Sequence, residues 1–153
     1  MATQTDRIHK ELLLNAPLSR VWHAVSDAQR FGEWFGVRLD GAFTPGALVR
    51  GQLLEPGYEH LPFEVTVERV EPERHLSFRW HPHAIQTDQD YSKEPTTLIV
   101  FELQAKGDAT LLTVDESGFD ALPLARRLEA YRGNEGGWTE QMQRIARYVG
   151  HNA

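Results

Sequence analysis

Cysteine is absent from the 153-residue chain. Its absence excludes disulfides, thiol nucleophiles and cysteine-ligated iron–sulfur clusters, and it fits a reducing compartment. Lysine is almost missing as well, with Lys10, Lys93 and Lys106 as the only three; arginine supplies the rest of the 16 basic residues, against 22 acidic ones. The resulting net charge of −6 and the scatter of the arginines, apart from Arg126-Arg127 and Arg144/Arg147, argue against nucleic-acid or anionic-membrane binding, which draw on clustered cations. Long apolar runs are lacking too. Nothing approaches the roughly 18 residues of a membrane span, and Met1 to Lys10 has no apolar stretch of the signal-peptide kind, so a cytoplasmic protein is expected. Ser19, Ser26, Ser77, Ser92 and Ser117 lack the glycine frame of a nucleophile elbow. The glycines from Gly133 to Gly137 follow no dinucleotide or Walker pattern. No cofactor is implied.

What is present suits one globular domain spanning residues 1–153. With 41% hydrophobic and 25% charged residues, a chain of this length can bury roughly 70% of the surface its unfolded form exposes. No internal repeat or low-complexity segment interrupts it.

The order of elements is legible from period and punctuation. Ile8 to Leu14 reads as a strand ended by Asn15-Ala16-Pro17. Val21, Trp22, Val25 and Ala28 keep helical spacing, and Ser26-Asp27 can end that helix and cap a second one running through Trp34. Phe43, the Thr44-Pro45-Gly46 turn and Ala47 to Leu54 predict a hairpin closed by Glu55-Pro56-Gly57. Phe63, Val65 and Val67, then Leu76, Phe78 and Trp80 after the Glu71-Pro72-Glu73 turn, alternate with polar residues as strands with one wet face do. His81 to Glu94 is polar and predicts a long loop. Thr96–Leu103 and Thr110–Glu116 form a further hairpin around Lys106-Gly107-Asp108. Finally Leu124, Leu128, Tyr131, Trp138, Met142, Ile145 and Val149 step by threes and fours along a long helix, with Glu135 in the missing slot. Gly136-Gly137 inside it costs about 2 kcal/mol relative to two alanines, which predicts a bend or a close backbone approach there.

Several segments carry a family resemblance: Ala16-Pro17 with Val21-Trp22, Asp27 to Trp34-Phe35, Val70-Glu71-Pro72 before Leu76-Ser77-Phe78, Thr97 to Phe101-Glu102-Leu103, Leu111 to Val114, and Gly137-Trp138. Over about residues 7 to 149 the chain resembles the START-like (SRPBCC) superfamily, and within it the homologues of the activator of heat-shock protein 90 ATPase. The resemblance implies an α+β helix-grip fold: a curved antiparallel sheet of six or seven strands wrapped around a long C-terminal helix, with two short helices after the first strand. It carries no shared catalytic motif.

In that fold the sheet and the terminal helix enclose a cavity, and its candidate lining is Trp34, Phe78, Trp80, Phe101, Tyr131, Glu135, Trp138 and Met142. The plainer alternative is that the rings fill the core. Glu135 is the one candidate for catalysis, because a carboxylate on an apolar stripe must be paired, protonated or exposed to a wet cavity; otherwise the helix turns it outward or Arg79 pairs with it. His81 and His83, with His60 and His75 elsewhere, lack ligand spacing, so no metal is expected. Asp90 and Tyr91 are candidates for a lid over the cavity mouth.

Three functions stay open. The first is binding of a hydrophobic or amphipathic small molecule in the cavity, of lipid or polyketide-like kind. The second is an enzyme of the cyclase, dehydratase or hydrolase sort acting through Glu135. The third, implied by the resemblance, is a chaperone-interaction module with a protein partner.

Overall fold

The computed structural model describes residues 7–59, 61–82 and 94–151. Strand β1 (Arg7–Leu14) leads into helices α1 (Leu18–Ser26) and α2 (Ala28–Phe35), then strands β2 (Val37–Leu39), β3 (Leu48–Leu53), β4 (Pro62–Glu71), β5 (His75–Trp80), β6 (Thr97–Lys106) and β7 (Ala109–Ser117). A 3-10 turn at Phe119–Ala121 precedes the long helix α3 (Leu124–His151). Strand order is β1-β7-β6-β5-β4-β3-β2, every pairing antiparallel, so the chain's first strand closes against its last. This is the helix-grip architecture with seven strands.

The punctuation read from the sequence works as capping chemistry predicts. The Asp27 carboxylate accepts from the amides of Gln29 (3.0 Å) and Arg30 (3.1 Å), satisfying two orphan donors at the start of α2. Gly36 ends α2 at φ 91°, a left-handed conformation that a side chain resists. The hairpin expected around Thr44-Pro45-Gly46 differs from expectation: its first strand is Val37–Leu39, not the stretch at Phe43, which packs buried beside Phe31 and Phe78. A register shift between Val67 and Arg69 marks a bulge in β4, a device that bends a strand and so helps the sheet curve around α3.

One face of the sheet is apolar. Leu76 and Phe78 on β5, Ile99 and Phe101 on β6, and Leu112 and Val114 on β7 are fully buried beneath the helices. Helix α3 covers them with Ala130, Trp138, Met142, Ile145 and Val149. Two expectations about α3 are corrected. Leu124 and Leu128 are 73% and 46% exposed, because the covered stripe runs through Ala130 and Asn134 to Trp138 and leaves Leu128 on its flank and Leu124 in the first turn. Gly136 and Gly137 lie within one uninterrupted helix, and an added Cβ at either would meet nothing within 4 Å, so no backbone approach accounts for them. No helix among the described residues is long and apolar enough to cross a membrane.

Candidate functional site

Alternation on β7 places Thr110, Leu112, Val114 and Glu116 on the buried face, so the strand ends with a carboxylate where an apolar side chain would be ordinary. Glu116 is completely buried. Isolated, such a charge would cost many kcal/mol, and here it is surrounded by donors. Its Oε2 accepts from Trp80 Nε1 (2.8 Å), Thr97 Oγ1 (2.5 Å) and Asn134 Nδ2 (3.0 Å); its Oε1 accepts from Trp138 Nε1 (2.9 Å) and the same Asn134 nitrogen (3.0 Å).

Four elements converge to make this cluster. Thr97 opens β6 directly opposite Trp80, the last residue of β5, and Glu116 lies diagonally across on β7. Asn134 and Trp138 are one turn apart on α3, which aims both at the sheet. Burial pushes the Glu116 carboxyl above its ordinary value of 4.5, and the hydrogen bonds from Thr97, Trp80, Trp138 and Asn134 pull part of that shift back. Among the described residues no cation forms an ion pair with it.

Aromatic rings wall the cluster on the apolar side. Trp80 stacks on Trp138 with centroids 5.7 Å apart and planes 21° from parallel. Phe35 touches both indoles at 6.1 Å, Phe63 meets Trp80 at 5.8 Å and Phe101 meets Trp138 at 5.7 Å. Thr97, Glu116 and Trp138 are buried, whereas Trp80 and Asn134 keep partial exposure, so the cluster comes nearest to solvent on their side. Gly137 lies one turn of α3 beyond Asn134 on that flank, half-buried, with open space where its side chain would stand.

Two tethers fix the neighbouring backbone. The Arg126 guanidinium pairs with Glu94 at 2.8 Å and donates to the Pro82 carbonyl at 2.8 Å, tying both flanks of the β5–β6 connection to the first turn of α3. Both members of the pair are largely buried. On the other side, Gln141 and Arg144 donate to the Phe35 carbonyl at 3.0 and 3.3 Å, locking the end of α2, and with it the Phe35 ring, against α3.

The structure brings Phe78, Trp80, Phe101 and Trp138 of the expected lining into one contiguous aromatic set. Met142 is buried on the same helix face. Trp34 is placed elsewhere: its indole donates to the Ala24 carbonyl at 2.8 Å and its ring packs on Phe31 and Phe35, joining α1 to α2. Tyr131 faces the sheet edge, its hydroxyl donating to the Arg7 carbonyl at 3.2 Å and its ring against Phe119.

Glu135 does not enter the interior. It sits half-exposed on the flank of α3 facing β1 and forms an ion pair with Lys10. The helix stays continuous, and the residue that turns inward is Asn134, one position earlier. Arg79 pairs instead with Glu68 across the β4–β5 ladder at 2.6 Å. His81 Nε2 lies 3.1 Å from the Glu94 carbonyl oxygen and His75 stands at the far end of β5 beside Glu102, so the two histidines do not meet. His60, His83, Asp90 and Tyr91 lie outside the described residues.

Glu116, Thr97 and Asn134 escape a search for apolar stripes because each is polar. The signal was nonetheless present: Leu112, Val114 and Glu116 keep the period of two, and Ala130, Asn134, Trp138 and Met142 keep a spacing of four. A shallow depression of about 230 Å³ bounded by Arg38, Gly51, Gln52, Leu61 and Pro62 lies away from this cluster, on β2 to β4.

The sequence matches the family model for Activator of Hsp90 ATPase homolog 1-like proteins over residues 15–150. Among proteins with curated descriptions none matches. Of solved structures, DynU16, a protein of the dynemicin biosynthetic locus, is 30% identical with a TM-score of 0.71 over 94% of this chain. That match covers 47% of DynU16, so the chain spans about half its length. MLL2253 from Mesorhizobium loti is 20% identical (TM-score 0.76; 96% of this chain, 98% of the other). A protein from Arthrobacter aurescens is 16% identical (TM-score 0.79; 99% and 90%). These last two share the fold. The chain belongs to the Activator of Hsp90 ATPase homolog 1-like family, within the START-like superfamily.

Proposed function

We propose that the protein binds a hydrophobic or amphipathic small molecule between the sheet and α3, against the Trp80–Trp138 stack, with Glu116 as the polar group that orients it. The observation that carries this reading is the fully buried Glu116 with its four neutral donors. A fold that needed only stability would be served as well by an apolar residue there, since replacing buried charges by well-packed apolar groups is often neutral or stabilising. Polar groups placed sparingly in an aromatic setting are the usual composition of a ligand site. The open space beside Gly137 and the partial exposure of Trp80 and Asn134 support entry from that flank. The likeness to DynU16, a protein of a biosynthetic locus, supports a small-molecule ligand.

Titrating the protein with amphipathic acids, phenols, sterols and flavonoids while following tryptophan fluorescence tests this. Saturable quenching that Gly137→Leu abolishes, with the fold intact by circular dichroism, is the expected result. Silence across the panel would overturn the reading. Should turnover of any ligand be found, the acid–base role falls to Glu116, whose carboxyl pKa burial raises above its ordinary value, and not to Glu135 on the surface.

A further inference from the structure

Resting on that binding reading, we infer that the site selects its ligand by the polarity of one hydrogen bond: it takes an apolar ring bearing an uncharged hydroxyl, which donates to Glu116 in place of Asn134, and it rejects carboxylates of the same shape.

The argument begins with who donates. Two indole N–H groups and an amide N–H point at the Glu116 carboxyl oxygens, and none of the three nitrogens can accept. Thr97 is the one partner able to donate or accept. Ringed by four donors, the carboxyl group is held as the acceptor-only carboxylate, so an arriving polar group must be a donor. Each donor in place is neutral, so a hydroxyl substitutes one neutral donor for another. A ligand carboxylate would bring a second negative charge next to a carboxylate already stripped of water, with no cation paired to it among the described residues.

A carboxylate has room for about four donors, and Glu116 already has four. A ligand donor must therefore displace one. Asn134 is the weakest holder: one nitrogen is shared between both oxygens at 3.0 Å, longer than the bonds from the indoles or from Thr97. It is also only half-buried, and the neighbouring turn of α3 at Gly137 leaves open space into which its side chain can withdraw.

Affinities of three probes of one shape, a naphthol, its methyl ether and the corresponding naphthoate, decide the matter on the wild-type protein at neutral pH. The naphthol is expected to bind at least tenfold more tightly than the ether, as a hydrogen bond to a charged group allows, with the naphthoate weakest. Equal binding of naphthol and ether, or tighter binding of naphthoate, overturns the inference while leaving the binding reading standing. Failure of all three to bind overturns both. In Asn134→Ala the preference for naphthol over ether should persist or grow, because the acceptor is already vacant; its loss would contradict displacement. In Glu116→Gln the preference should fall to within about twofold, and should that variant not fold, the probe series and Asn134→Ala still decide.

Discussion

The indole N–H groups of Trp80 and Trp138 bond opposite oxygens of one carboxylate, Oε2 and Oε1 of Glu116, at 2.8 and 2.9 Å. Because the two rings are also stacked on each other, a single side chain on β7 sets the relation between the end of β5 and the middle of α3. The sheet and the helix that grips it are thus joined by a polar clasp inside an apolar layer.

Replacing Glu116 by Gln breaks that clasp in a way no rotation of the amide can repair. Whichever oxygen becomes the amide nitrogen, one indole N–H faces another donor. The expected cost is about 2–3 kcal/mol, or a fall in Tm of roughly 5–10 °C for a chain of this size. Thermal unfolding followed by circular dichroism checks it; an unchanged Tm would mean the donors are satisfied elsewhere.

The same residue shapes stability against pH. Its folded pKa is raised, so as pH climbs from the ordinary 4.5 the unfolded chain loses this proton first and stability falls until the folded pKa is passed. Glu116→Gln lacks that slope, whereas the other carboxylates are common to both proteins. The stability advantage of wild type over Glu116→Gln should therefore shrink across this window in denaturant titrations. An advantage that grows with pH would show that the hydrogen bonds outweigh burial and depress the pKa.

Glu135→Gln should do little. The Lys10–Glu135 pair is partly solvated, and such pairs contribute about 0–1 kcal/mol. Ligand affinity should stay within twofold of wild type. A large loss of binding in isothermal titration would return Glu135 to the site.

Gly136→Ala should stabilise the protein. The position is exposed within a continuous helix, an added methyl group meets nothing within 4 Å, and alanine is favoured over glycine there by up to about 1 kcal/mol. Urea midpoints give the answer, and a lower midpoint would reveal a function for flexibility at that turn.

Much of the fold was legible because its signals are local. Asp27 caps α2 through its own side chain, Gly107 turns the β6–β7 hairpin, and the alternation from Phe63 to Val67 announces a half-buried strand. The site was less legible because it depends on contacts across the chain. Glu135 and Asn134 are neighbours in sequence, yet a rotation of about 100° per residue sends one to Lys10 and the other to Glu116. Which of them faces inward depends on where α3 lies across β7, a tertiary fact. Glu116 itself broke the apolar rule at the end of β7, and such breaks concentrate where function, not stability, selects the residue.

The most direct test is the indole region of a nitrogen–proton correlation spectrum during titration with a naphthol. The four tryptophans are Trp22, Trp34, Trp80 and Trp138, so each side-chain N–H reports separately. The account predicts saturable shifts of the Trp80 and Trp138 resonances with Trp22 and Trp34 nearly still. Shifts confined to Trp22 and Trp34, or none at any concentration the ligand reaches, would contradict it.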